Sequence, residues 1–150
     1  MTPPTSSEVI DALGQYLAAR DLVQYSPDEV LVEGNVPAFI DGSLPPDPDT
    51  ALAAIVVRDN RERDPDNPDI DVRLRGRTAL GATKSADDVM DDLYTVLHVP
   101  DHVVRSEVWP GGVRVLDVRR VVRALSFEDA NGRRVRADDY RITLNPKVSE

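Results

Sequence analysis

Two histidines have the spacing of a helical zinc site. His98 and His102 are four residues apart, which places both rings on one face of an unbroken helix. Pro100 lies between them and disrupts a helix, and Val99 stands where a metalloprotease motif has its catalytic acid. We therefore interpret His98 as a residue at a helix C-terminus and His102 as a loop residue, and we predict no metal site here.

Aspartates form a dense acidic cluster on a predicted helix, at Asp87, Asp88, Asp91 and Asp92. Such a cluster is able to hold a divalent cation or to meet a basic partner. We favour a solvated helix face, in which the first two carboxylates stabilise the positive N-terminus of the helix and the other two face water.

An acidic loop at residues 64–71 has some features of a calcium-binding loop. The position that requires glycine in such a loop is Asp69, and the position that requires a bidentate glutamate is Arg75. Pro65 and Pro68 also restrict its backbone. We predict no calcium site in this loop.

Nucleophilic and phosphate-binding motifs are missing from the sequence. It contains no cysteine, no glycine-rich phosphate loop and no serine in a nucleophile-elbow pattern. We therefore predict that the chain is not an enzyme and uses no cofactor. Two alternatives of other classes stay open: a small metal-dependent hydrolase that uses the aspartates, and a small adaptor protein.

Arginines recur along the predicted strands, and arginine is suited to bidentate pairing with carboxylates across an interface. Charges on exposed strands also prevent sheets from aggregating edge to edge, so the sequence leaves both roles open. The single tryptophan precedes Pro110 and is either an interface anchor or the end of a hairpin packed on the core. The candidate protein-interface residues are Arg73, Arg75, Trp109, Arg119, Arg120, Arg123, Arg133 and Arg134.

Net charge argues against general nucleic-acid binding, because the chain carries −9 and phosphate contacts need clustered cations. The charge is uneven: residues 1–100 have 8 basic and 19 acidic side chains, and residues 101–150 have 10 basic and 8 acidic ones. The two parts either complement each other across subunits or are two solvated faces of one monomer. The N-terminus has no secretory pattern, and the apolar stretch Ala51–Val57 is too short to span a bilayer.

Two amphipathic helices must position these side chains. Apolar residues recur at three- and four-residue spacing over residues 7–20, after an N-cap at Ser6 or Ser7. A second stripe predicts a helix over residues 86–98, with Ser85 as N-cap and Asp88 at the capping-box position.

The other segments indicate strands separated by turns. Residues 41–50 and 59–69 are loops, because prolines interrupt them. Asn131-Gly132 predicts a two-residue hairpin turn in which both residues take positive φ. The predicted strands are a short one at 31–33, then 51–58, 70–75, 103–109, 113–127 as one bent strand or two short ones, and 133–144.

This order of elements predicts an α+β fold, with a mixed or antiparallel sheet of about four to five strands packed against two main helices. The length suits a single domain over residues 1–150. We expect flexible tails at residues 1–5 and 146–150.

Several segments resemble a known family. The helix Ser7–Arg20, the strand ending Ile-Val-Val-Arg58, and Asp69-Ile-Asp-Val-Arg-Leu-Arg-Gly76 followed by a helix occur in its order. The closing hairpin is also similar, with the turn Asp129-Ala-Asn-Gly-Arg133 leading to the aromatic-bearing strand at Tyr140. Over most of residues 6–144 the chain resembles the tail-terminator and minor capsid proteins, or head–tail connectors, of long-tailed, non-contractile bacteriophages.

The resemblance implies a structural virion protein at the junction of tail and neck. It implies a homo-hexameric ring that caps the tail tube, contacts the tube protein and a neck or connector protein, and lets DNA pass. It implies neither enzymatic activity nor membrane binding. Another head–tail connector or head-completion protein is the nearest alternative.

Overall fold

In the computed structural model, residues 4–26, 31–61, 67–98 and 106–145 are described. These residues form two helices, seven strands and one 3₁₀ turn at Pro110–Gly112. The helices are α1 (Ser6–Ala18) and α2 (Ala86–Leu97). The strands are β1 (Ala38–Asp41), β2 (Ala51–Asp59), β3 (Asp69–Arg77), β4 (Glu107–Trp109), β5 (Val113–Arg123), β6 (Phe127–Glu128) and β7 (Arg134–Leu144).

One mixed sheet joins all seven strands, in the order β1-β2-β3-β7-β5-β4, with β6 also paired to β7. The β1–β2 pair is parallel and the other pairs are antiparallel. The sheet is curled, and β-bulges in the β2–β3 and β5–β7 pairs add to its twist. The predicted α+β class is confirmed. The estimate of four to five strands was too low, and β1 was not predicted at all, because its four residues show no alternating pattern.

Helix α1 begins where a threonine, rather than a serine, supplies the cap. The Thr5 hydroxyl accepts a hydrogen bond from the Glu8 amide, and the Glu8 carboxylate accepts one from the Thr5 amide. This reciprocal pair satisfies two donors at the helix start. The prediction of Ser6 or Ser7 as N-cap, with Thr5 in a flexible lead-in, was wrong by one residue. Residues 1–3 and 146–150, the rest of the expected tails, lie outside the described residues.

Helix α2 agrees closely with its prediction. The Ser85 hydroxyl accepts a hydrogen bond from the Asp88 amide, and the Asp88 carboxylate accepts one from the Ser85 amide. The helix ends at Leu97, with His98 as C-cap. The buried stripe of Val89, Met90, Leu93 and Leu97 faces the sheet.

A single apolar core lies between the helices and one face of the sheet. In β3 the buried side chains of Ile70, Val72 and Leu74 alternate with Asp71, Arg73 and Arg75 on the other face, as the sequence predicts. The first three belong to the same apolar cluster as α1 and α2. We call the side with this cluster the helix face and the opposite side the open face.

The strand expected at residues 31–33 is absent, and the strand of this region is β1. Glu33 instead uses its carboxylate to accept hydrogen bonds from the amide and hydroxyl of Thr50, at 2.9 and 2.6 Å. β1 is recognisable only through its parallel pairing with β2, which lies far along the chain.

The closing hairpin forms, but its turn is longer than predicted. The backbone of Asp129 pairs with Arg133, and within this loop only Gly132 takes a positive φ, of 79°. A turn followed by one left-handed glycine is the usual form of a three-residue loop. Asn131 therefore does not adopt the left-handed conformation that a two-residue turn requires.

The proline-rich loop at residues 42–50 lies against the open face and is held there by a buried arginine. The Arg77 guanidinium donates hydrogen bonds to the carbonyls of Pro48 and Asp49, at 2.9 and 2.7 Å, and to that of Pro45. Burial lowers the pKa of Arg77 below its ordinary value. Small side chains at Ala51 and Ala53 leave room for this loop and are buried beneath it.

Two glycines mark close approaches between helix and sheet, and they form a matched pair for mutagenesis. A methyl group on Gly14 would lie 2.7 Å from Phe39 Cδ2 and 2.9 Å from Tyr25 Cδ2, both in rigid rings. We expect Gly14→Ala to lower the free energy of unfolding by about 1 kcal/mol or more, because overpacking costs about 1–3 kcal/mol and exceeds the gain in helix propensity. Urea denaturation measures this difference.

Gly76→Ala is the control for this prediction. Its methyl group would meet Met90 Sδ at 2.6 Å, and the flexible methionine side chain is able to move away. We expect a smaller loss than for Gly14→Ala. A Gly14→Ala protein as stable as the parent would contradict the packing described for α1.

Candidate interaction surface

Arg73 and Arg75 lie on the open face, as predicted, but they differ in their partners. Arg73 makes two hydrogen bonds to the Asp139 carboxylate, at 2.9 and 3.2 Å, and this pairing raises the pKa of Arg73. Arg75 lies across from Ala137 on β7 and forms no ion pair within the described part of the chain. The Arg141–Asp71 pair, at 3.0 Å, continues the same charged row.

The three arginines of β5 do not share a surface. Arg119 and Arg120 are consecutive and therefore point to opposite faces, and the register shift between Arg120 and Val122 places Arg123 on the same face as Arg120. Arg119 is on the open face and binds Asp117 at 2.8 Å. Arg120 and Arg123 point to the helix face. There the Arg120 guanidinium stacks 3.8 Å from the centre of the Tyr94 ring, and Arg123 lies 3.8 Å from Asp91.

The two arginines after the hairpin turn also lie in different surroundings. Arg133 binds Asp129 and Asp49, at 2.9 and 2.7 Å, and so ties the turn to the proline-rich loop. Hydrogen bonding to Asp49 raises the pKa of Arg133. Arg134 is exposed and lies across from Glu128 on β6.

Trp109 belongs to the core and not to an exposed interface. Its side chain is only 1% exposed and stacks on the Tyr16 ring with 4.5 Å between centroids. Its indole N–H donates to the Glu107 carboxylate at 3.1 Å. Of the two roles that the sequence left open, the structure has the packed hairpin end, and we remove Trp109 from the candidate surface.

Helix α2 directs two of its aspartates to a buried arginine that sequence reasoning missed. Arg136 is fully buried on the helix face, where it binds Asp138 at 2.8 Å, Asp91 at 3.0 Å and Asp87 at 3.1 Å. Burial alone would lower the pKa of Arg136, but hydrogen bonds to Asp138 and Asp87 outweigh it and raise the pKa. The prediction that Asp91 simply faces water was therefore wrong. Asp87 lies in the first turn of α2, as predicted, but it also pairs with Arg136.

The other two aspartates of α2 are also engaged. Asp88 completes the capping box, and Asp92 binds Lys84 at 2.5 Å. In the described ranges, no group of three or more acidic, histidine or cysteine side chains is arranged to hold a metal ion. The aspartates of α2 form a helix cap and structural ion pairs instead.

His98 has a structural role at the end of α2. Its ring stacks on Tyr94 with 4.7 Å between centroids, and its Nδ1 accepts a hydrogen bond from the Arg120 amide at 3.1 Å. His98 thereby joins the helix end to β5. His102 and part of the acidic loop at 64–71 lie outside the described residues.

A groove of about 580 Å³ lies beside the loop that precedes α2. Thr50, Thr78 and Leu80 contribute to its lining, and its charged groups are Glu33 and Lys84. Glu33 is bound to Thr50 and Lys84 to Asp92, so both charges have structural partners. The groove has a shape and a polar lining that suit binding. Among the residues that line it, no general acid is in contact with a general base.

The most distinctive surface is apolar and was not predicted. Val121, Val122, Leu125 and Phe127 are 41%, 49%, 83% and 52% exposed and lie within seven residues, at the end of β5, in the link that follows it and in β6. We call these four side chains the apolar edge. Single exposed apolar residues are ordinary on protein surfaces, whereas a local group of them marks a contact site.

The strand pairing explains how the apolar edge arises. Val122 is paired with Asp139, and Phe127 with Val135, so both side chains point to the open face. The register shift beside Val121 moves that residue out of the regular alternation. Among the described residues β6 pairs with β7 alone, so nothing in them covers its outer edge.

Comparison with known proteins adds no relative: no protein-family model matches the chain, and no curated protein is significantly similar to it. In the part of the chain that the structure describes, no helix is both long and apolar enough to cross a membrane.

Proposed function

We propose that this chain is a structural virion protein, a bacteriophage tail terminator whose copies form a ring that caps the tail tube and joins it to the neck. The observation that carries the proposal is the apolar edge. Burying an aliphatic or aromatic side chain of this size contributes about 1.5–3 kcal/mol, so a partner that covers the four residues gains substantial binding energy. The resemblance of the segment order to the terminator family is the basis for proposing a ring as the assembly.

In the assembled protein each copy makes three kinds of contact. Copies of the chain bind one another in a homo-hexamer, one side of the ring meets the tail tube protein, and the other side meets a neck or connector protein. DNA only passes through. The net charge of −9 suits such a passage, because adhesion to phosphates requires clustered cations. Another head–tail connector would use the apolar edge in the same way.

Polar substitutions in the apolar edge test this function. We expect the double variant Leu125→Ser and Phe127→Ser to lose the ring and become monomeric, because it removes the two largest exposed side chains of the edge. Native mass spectrometry and light scattering over a range of concentrations measure the change, with the chain alone and together with the tail tube protein encoded in the same genome.

Val32→Ser is the matched control, since Val32 is 62% exposed but does not belong to the apolar edge. This variant should assemble as the parent does. A parent chain that stays monomeric at every concentration, with and without tube protein, would refute the proposal.

A further inference from the structure

Tyr140 places a polar hydroxyl in the core, on the helix face of β7. Its side chain is only 1% exposed, and its Oη forms no hydrogen bond with any residue that the structure describes. Burial and then the charge of Asp138 raise the pKa of Tyr140, so the phenol stays protonated and remains a hydrogen-bond donor. Buried polar groups of native proteins are almost always hydrogen-bonded, so this hydroxyl needs a partner.

Arg120 brings a second buried donor to the same place. It lies directly across from Tyr140 in the β5–β7 pair, and the side chains of such a pair are neighbours on one face of the sheet. Its Nη1 is buried and makes no hydrogen bond within the described residues. The same atom lies 3.6 Å from Asp138 Oδ2, which is too far for a direct hydrogen bond and is a separation that a water molecule is able to bridge.

Asp138 supplies an acceptor beside these two donors. It lies two residues before Tyr140 on β7, so both side chains point to the helix face. The Asp138 carboxylate already accepts hydrogen bonds from Arg136 at 3.0 and 2.8 Å, and each of its oxygens is able to accept another. Two donors and one acceptor are therefore grouped where α2 packs on β5 and β7.

The chemistry of this group suits water and not an ion. Tyr140 and Arg120 need an acceptor, whereas Asp138 has room for another donor, and a water molecule supplies both. A chloride ion would satisfy the donors, but it would lie beside the negative charge of Asp138 and has no proton to donate. A metal cation would face two donors and is excluded by the same reasoning.

We infer that one water molecule is bound inside the protein, where it accepts hydrogen bonds from Tyr140 Oη and Arg120 Nη1 and donates one to Asp138 Oδ2. Three hydrogen bonds are typical of a buried water. Asp138 also binds Arg136, whose guanidinium holds the aspartates of α2. The water thus links β5 to the ion pairs that fasten α2. This inference does not depend on the proposed function.

Tyr140→Phe tests the inference through the sign of its effect on stability. Removing a hydroxyl that is bound to water loses a hydrogen bond, so we expect the equilibrium constant of unfolding to rise about fivefold. Removing a hydroxyl without a partner would instead relieve the cost of its burial and leave the protein at least as stable as the parent. Urea denaturation measures the constant. Tyr25→Phe is the matched control, because the Tyr25 hydroxyl donates to Asp11 at 2.7 Å and its removal should be destabilising in either case.

Direct observation of the water distinguishes it from any other partner of the hydroxyl. A high-resolution crystal structure of the parent should show a water within hydrogen-bond distance of Tyr140 Oη, Arg120 Nη1 and Asp138 Oδ2. A Tyr140→Phe protein at least as stable as the parent would overturn the inference. So would a crystal structure in which Tyr140 Oη binds Asp138 directly, or a bromide soak in which anomalous scattering places a halide ion between Arg120 and Tyr140.

Discussion

Asp138→Ala is expected to lower the free energy of unfolding by about 3–5 kcal/mol, the usual loss when a buried ion pair is deprived of one partner. Asp138 and Arg136 are both fully buried and are joined by two hydrogen bonds of 3.0 and 2.8 Å. Without the carboxylate, the guanidinium keeps only the half-exposed Asp87 and Asp91. Chemical denaturation followed by circular dichroism measures the loss.

A double variant separates the cost of an unpaired charge from the cost of lost volume. In Arg136→Met with Asp138→Leu, no charge of this pair is left buried, and apolar replacement of a buried ion pair is often neutral or stabilising. We expect it to be clearly more stable than Asp138→Ala. Asp87→Asn should have a small effect, because the Asp87 side chain is 45% exposed and Arg136 keeps its other partners. If Asp138→Ala costs less stability than Asp87→Asn, the buried pair of Arg136 and Asp138 does not stabilise the fold in this way.

Besides contributing to stability, the ion pairs around Arg136 fix the position of α2 on the sheet. Arg136 joins α2 to β7, Ser126 donates a hydrogen bond to Asp87 at 3.1 Å, and Arg123 approaches Asp91. Ser126 lies between Leu125 and Phe127 of the apolar edge. The position of the apolar edge is therefore coupled to α2 through charges and hydrogen bonds as well as through apolar packing.

The parts of the fold that could be predicted are those with a local periodic signal. α2 has an apolar stripe and a capping box, and β3 alternates over residues 70–75, so each is encoded within its own segment. The resemblance to phage proteins depends on the same segments. β1 has no such signal, because its four residues become a strand only through pairing with β2.

The partners of the arginines could not be predicted, since they depend on pairing between distant strands. Arg73 meets Asp139, and Arg141 meets Asp71, only because β3 and β7 are neighbours in one particular register. On β5, Arg119 and Arg120 face opposite sides because they are consecutive, and the register shift beside Val121 places Arg123 on the same face as Arg120. A change of one residue in register reverses every side chain of a strand, so counting arginines along the sequence does not define a surface.

The apolar edge was missed for a related reason. Val121 and Val122 have the composition of a buried strand, and their exposure follows from the absence of a covering element among the described residues. Leu125, followed by Ser126 and the edge strand β6, gives no periodic pattern. The sequence feature that comes closest to indicating the apolar edge is a series of apolar residues that continues beyond the alternating part of β5.

Trp109→Ala is the second change with a large expected effect, a loss of about 3–5 kcal/mol from truncating a buried aromatic side chain. The substitution removes the stacking on Tyr16 that joins the β4 hairpin to α1. For a domain of this size the loss corresponds to a fall of roughly 10 °C in the melting temperature, which calorimetry measures.

Trp109→Phe is the control for that loss, because it retains an aromatic ring on Tyr16 and gives up the indole hydrogen bond to Glu107 and only part of the buried volume. It should keep most of the stability. A Trp109→Ala protein that melts like the parent but no longer assembles would show that Trp109 acts in the interface, contrary to the structure. If the core and the contact surface are separate, Trp109→Ala should lose stability. The double variant of Leu125 and Phe127 should instead keep its stability and lose assembly.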